Sequence, residues 1–92
     1  MNITEVQIEL IKPKNGLIGF ASLVIDANIY LSGIAIHSKL EGTGYRLTYP
    51  SKGKFTLYHP INKQTSKAIE AAIFSKLNDV MKKVIRHEEN TF

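Results

Sequence analysis

The chain has 92 residues, no cysteine, 43% hydrophobic and 22% charged residues, and a formal net charge of +4. A domain of this length buries a little over ~60% of its unfolded surface, so its stability margin is narrow and a second copy would widen it. The missing cysteines exclude disulfides, thiolate metal sites and cysteine nucleophiles. No segment approaches the ~20 apolar residues of a membrane span. "MNITEVQIEL" carries Glu5 and Glu9 where a signal peptide needs basic residues, so a soluble, cytoplasmic protein is expected.

"TEVQIEL" alternates, with Val6, Ile8 and Leu10 on one face and Glu5, Gln7 and Glu9 on the other, the period of a half-buried strand. Pro13 is expected to end it, and Lys14-Asn15-Gly16 supplies a turn. "LIGFASLVID" follows as a second strand with Leu17, Gly19, Ala21, Leu23 and Ile25 on a shared face. Asp26-Ala27-Asn28 reverses the chain into a third strand, "IYLSGIAIH". Both long strands are apolar on both faces, which puts them at the sheet centre with cover on each side. "LEGTG" is another turn, and "YRLTY" alternates again, with Tyr45, Leu47 and Tyr49 on one side, until Pro50 stops it. "FTLYH" is expected as a short fifth strand closed by Pro60, which cannot donate to a ladder.

From Asn62 the period becomes helical: Ile69, Ala72, Ile73, Leu77, Val80 and Val84 form one apolar stripe. Asn62 or Thr65 can cap its start, and Lys82, Lys83 and Arg86 favour the dipole at its end. The expectation is a single α+β domain over residues 1–92. It has a small antiparallel sheet of about five strands across roughly 3–59, one long amphipathic helix over about 63–86, and a polar tail at 87–92. Phe74, Met81 and Ile85 widen the stripe to roughly 160°, beyond the ~100° that one sheet face requires. A second copy of the chain, or a sheet curved around the helix, would cover the difference, and the homodimer is the favoured reading.

The histidines His37, His59 and His87 are too scattered for a metal cluster, and none stands in an H-x-x-x-H pattern. Gly42-Thr43-Gly44 precedes a strand rather than opening a helix, so it suits a hairpin turn and not a pyrophosphate. No carboxylate pair or Ser/His/Asp set stands out, so neither catalysis nor a cofactor is expected. The positive charge is concentrated late: of twelve basic residues only Lys12 and Lys14 precede Lys39, whereas three of eight acids lie within the first twenty-six positions. It is densest in "YPSKGKFTLYHPIN", where Lys52 and Lys54 sit among Tyr49, Phe55 and Tyr58, and it continues with Lys63 and Lys67 at the helix start. These lysines are either solvated surface or phosphate contacts assisted by helix-terminal amides. Tyr49 and Tyr58 suit either base stacking or ordinary packing.

The ordered series "EVQIELI", "NGLIGFASLVID", "YPSK" and "HPIN" before an amphipathic helix resembles the stage V sporulation protein G family of septation proteins. The resemblance runs from about Glu5 to Ile85. It implies an antiparallel sheet with a C-terminal helix, a homodimer, and regulation through binding DNA, with RNA binding also attributed to the family. Pro50, Ser51 and Lys52 match the family's P-S-K, and His59, Pro60, Ile61 and Asn62 its H-P-I-N; its nucleic-acid contacts would fall here on Lys63 and Lys67. Ser66 and Ala35 depart from it where basic residues are expected, and the loop between Lys52 and Phe55 is short. The resulting expectation is a dimeric nucleic-acid-binding regulator carrying Lys52, Lys54, Lys63 and Lys67 as contacts. The alternative is a protein-interaction module in division or sporulation control.

Overall fold

A computed structural model describes the backbone of residues 1–89 and the side chains of residues 1–83. Strands β1 (Ile3–Lys14), β2 (Leu17–Ile25), β3 (Ile29–Ser38) and β4 (Tyr45–Thr48) form an antiparallel sheet in the order β1-β2-β3-β4. Strands β5 (Ser51–Lys52) and β6 (Phe55–Thr56) pair only with each other, and helix α1 (Lys63–Glu89) completes an α+β fold. The two long strands read as central are central.

The turn chemistry is local and specific. Asn15 and Gly16 both have positive φ and join Lys14 to its partner Leu17, as the backbone twist of a two-residue hairpin demands. Asp26 and Ala27 repeat this between β2 and β3, closed by the Asn28 amide donating to the Ile25 carbonyl at 3.0 Å. The turn also holds the N-terminus: the Asp26 amide donates to the Asn2 carbonyl, and the Asn2 amide to Asp26 Oδ1, both at 2.7 Å.

One face of the sheet meets the helix. Ala21 and Leu23 of β2, Ile34 and Ile36 of β3, and Ile69, Ile73 and Leu77 of α1 are the buried core, with Val6, Ile8 and Leu10 of β1 packed beside them. Gly19 lies on this face because β1 passes too close for anything larger: a Cβ there would stand 2.6 Å from the Glu9 carbonyl oxygen. Two bulges keep the apolar residues in phase. Glu5 and Val6 together oppose Leu23, with Glu5 at φ 51°, and Ser32 and Gly33 together oppose Ser22, with Gly33 at φ 76°.

Five expectations change. Leu17 does not share the face of Gly19, Ala21 and Leu23: the ladder is irregular between Leu17 and Gly19, Leu17 pairs with His37 of the open face, and Ile18 packs on the core instead. Pro13 does not end β1, which runs on to Lys14; β1 is an edge strand, and the ladder is irregular between Leu10 and Lys14, where a missing amide donor costs little. "FTLYH" is not a fifth strand of the sheet, since only Phe55 and Thr56 are extended and their partners are Ser51 and Lys52. Cover on both sheet faces is not found among the described residues. The face opposite the helix presents Gln7, Glu9, Ser22, Arg46 and Thr48 along with Phe20 and Tyr30, a mixture an antiparallel sheet can expose to water. The helix also continues to Glu89, past the expected end near residue 86.

The width of the helical stripe has a partial explanation within one chain. Phe74 packs against Tyr45 with ring centroids 6.2 Å apart, and Met81 also packs on the core. The third wide-stripe residue, Ile85, lies outside the described side chains.

Candidate nucleic-acid interface

Pro50 ends β4 and opens the β5–β6 ribbon, whose base is closed by the Leu57 amide donating to the Pro50 carbonyl at 2.8 Å. Gly53 and Lys54 make its tip, with Gly53 at φ 61°, the glycine-first arrangement of a tight hairpin turn. Lys52 and Lys54 therefore stand on a short projecting arm, both exposed. Residues 57–62 then return the chain to α1.

The H-P-I-N segment is built for that return. Asn62 is the helix cap: its Oδ1 accepts the Thr65 amide at 2.7 Å and its carbonyl accepts the Ser66 amide at 3.1 Å. Of the two candidate caps, Asn62 holds the position and Thr65 is the residue it caps. Pro60 is half-buried, whereas Ile61 is 89% exposed. His59 is exposed, and its Nδ1 donates to the Pro60 carbonyl at 3.0 Å. Capping has a cost for anion binding, since the Thr65 amide is already occupied and fewer terminal amides remain for a phosphate.

Lys63 and Lys67 are exposed and lie four residues apart, so they share one side of the helix start. The first helical turn contains no acidic residue. More broadly, the sequence carries no Asp or Glu between Glu41 and Glu70, a span that includes Arg46, Lys52, Lys54, Lys63 and Lys67. The ribbon thus presents cations with no acid in its own segment, whereas at the helix start Glu70 follows Lys67 by three residues on neighbouring positions of the helix surface.

Tyr49 and Tyr58 are packing residues in this structure. Their rings meet edge-to-face with centroids 5.9 Å apart, and Tyr58 donates its hydroxyl to the carbonyl of Ser32, an oxygen at the β3 bulge. Burial raises both phenols above their ordinary range, assisted at Tyr49 by Glu70 and at Tyr58 by Tyr30. Among the described residues the buried Tyr49 hydroxyl has no hydrogen-bond partner. With Pro60 and Ile69 these rings line a half-open apolar cleft of about 170 Å³, below the ~300 Å³ where ligand pockets begin.

The remaining candidates are apart from this surface. His37 lies on the open sheet face, its Nε2 2.9 Å from Thr48 Oγ1, and burial followed by the Arg46 charge lowers its pKa below 6.5. Ala35 lies on the same face, opposite Phe20 and Thr48. Ser66 is half-buried in the first turns of α1. Gly42-Thr43-Gly44 lies in the connection between β3 and β4, with the Gly44 carbonyl accepting the Lys39 amide at 3.1 Å. Among the described residues no three His, Asp or Glu side chains converge as metal ligands. No helix among them is long and apolar enough to cross a membrane.

Fold and candidate site together define a small α+β domain in which four of the twelve basic residues stand on a hairpin and at the start of a single helix. No family model matches the chain, and no solved structure does. It is 34% identical, over 88% of each chain, to a protein of Phytoplasma australiense named "Putative septation protein SpoVG". The chain belongs to the SpoVG family, the stage V sporulation protein G family of septation proteins.

Proposed function

We propose that this chain is a regulatory protein of the septation and sporulation type that works as a homodimer and binds DNA or RNA. The contact surface is the β5–β6 ribbon together with the start of α1. The observation that carries this reading is the acid-free span between Glu41 and Glu70, which places exposed Lys52, Lys54, Lys63 and Lys67 on two adjoining elements. Lysines in such a setting hold phosphates by charge and set position rather than sequence. A dimer doubles the surface. In this reading the protein acts in the cytoplasm, is not an enzyme, and requires neither cofactor nor metal.

Replacing Lys63 and Lys67 together with alanine tests the proposal, read by fluorescence anisotropy on labelled single- and double-stranded DNA and RNA. The folded double variant should lose affinity across all sequences. Unchanged affinity removes the helix start from the site.

A protein-interaction module is the second reading, favoured by Leu57 and Ile61, which are 62% and 89% exposed in the connection between ribbon and helix. A partner retained from lysate after nuclease treatment, and absent with Ile61→Ser, would favour it.

A further inference from the structure

We propose that Phe55 is a base-stacking residue, so that the β5–β6 ribbon stacks an unpaired base of single-stranded nucleic acid on Phe55 while Lys52 meets its phosphate. This rests on the nucleic-acid reading above and supplies its site with an aromatic contact.

Four aromatic residues lie in the acid-free span: Tyr45, Tyr49, Phe55 and Tyr58. Three are committed to packing, Tyr45 against Phe74 and Tyr49 against Tyr58. Phe55 alone of the four is 77% exposed. It is also the register partner of Lys52, which places the two side chains on one ribbon face with Cβ atoms about 5 Å apart. The tip beyond them is bare: nothing lies within 4 Å of where a Cβ on Gly53 would stand, so a nucleotide can approach the turn. A ring and a cation leaving the same ribbon face combine the two contacts that hold single strands, base on the ring and phosphate on the ammonium. Every base offers a π-face, so the contact tolerates sequence; in a duplex both faces are already stacked, which directs the site to unpaired bases.

The chain contains no tryptophan, so Phe55→Trp introduces a single tryptophan at the proposed contact, excited selectively at wavelengths its four tyrosines do not absorb. The wild type, Phe55→Trp and Phe55→Ala proteins are titrated with labelled oligothymidylate and with an abasic oligomer of equal length and charge. Circular dichroism and sedimentation establish fold and mass. The proposal expects oligothymidylate to quench the tryptophan, the abasic oligomer not to, and Phe55→Ala to weaken oligothymidylate binding roughly 5- to 150-fold. Phe55→Trp should retain it. Equal affinity of the wild type for both oligomers, with Phe55→Ala unchanged, overturns the stacking role while leaving the lysine surface standing. Failure of the wild type to bind either oligomer overturns both. A Phe55→Ala protein that loses self-association but keeps its preference for bases assigns the ring to a contact between copies, and likewise overturns the proposal.

Discussion

Asn62 holds the helix start and adjoins the lysines, so substitutions there separate stability from binding. Asn62→Ala removes the oxygen that accepts the Thr65 amide at 2.7 Å. Loss of such a cap costs about 1 kcal/mol, which for a domain of this size lowers Tm by roughly 4–8 °C. Asn62→Asp keeps the acceptor and adds a negative charge at the positive end of the dipole, so Tm should hold or rise slightly. The same charge repels a phosphate bound at Lys63 or Lys67. At about 6 Å in water the repulsion is ~0.7 kcal/mol, or about threefold in affinity at low salt. Calorimetry and anisotropy on the two variants therefore diverge: alanine lowers Tm, whereas aspartate keeps Tm and lowers affinity. Equal Tm for wild type and Asn62→Ala would refute the cap, and undiminished binding by Asn62→Asp would refute phosphate contact at the helix start.

Gly19→Ala would force a Cβ to within 2.6 Å of the Glu9 carbonyl oxygen, so β1 must shift; a loss of about 1–3 kcal/mol in urea unfolding is expected. Ala27 holds a φ of 57° that a side chain disfavours by roughly 1–2 kcal/mol, and Ala27→Gly should recover about 1 kcal/mol after glycine's extra chain entropy. Burial and Arg46 lower the pKa of His37, so the unfolded chain takes up its proton first. The neutral ring therefore contributes stability that is present above about pH 6.5 and lost as pH falls through the lowered folded value. Urea unfolding from pH 7.5 to 5 should show this decline, and His37→Gln should flatten it.

Strand alternation was legible wherever burial enforced it. Val6, Ile8 and Leu10 face the helix, as do Gly19, Ala21 and Leu23, because a one-residue slip would expose the whole set. The bulges were harder to read: each shows in the sequence only as a three-residue step between core-facing residues, Ile3 to Val6 and Leu31 to Ile34, with Gly33 as the one further local signal. "FTLYH" carried strand-forming residues without a partner in the main sheet. Closure at Pro50 and Leu57 makes it half of a separate ribbon instead. The lysines of the candidate site were visible as composition and charge. Which aromatics remain free was not, because sequence spacing does not show that Tyr49 and Tyr58 turn toward each other while Phe55 stays in solvent. The wide apolar arc likewise left a sheet contact and a dimer contact open, and Phe74 meeting Tyr45 is a matter of sheet shape.

The most direct test of the central proposal is the salt dependence of nucleic-acid affinity for the wild type and for Lys63→Ala/Lys67→Ala. A dimer neutralising about four phosphates should give a slope of log K against log salt of roughly −3.6, and the double variant should flatten it by about 0.9 for each phosphate no longer neutralised. Binding that ignores salt, or a slope unchanged by removing both lysines, would contradict the assignment of this surface to nucleic acid.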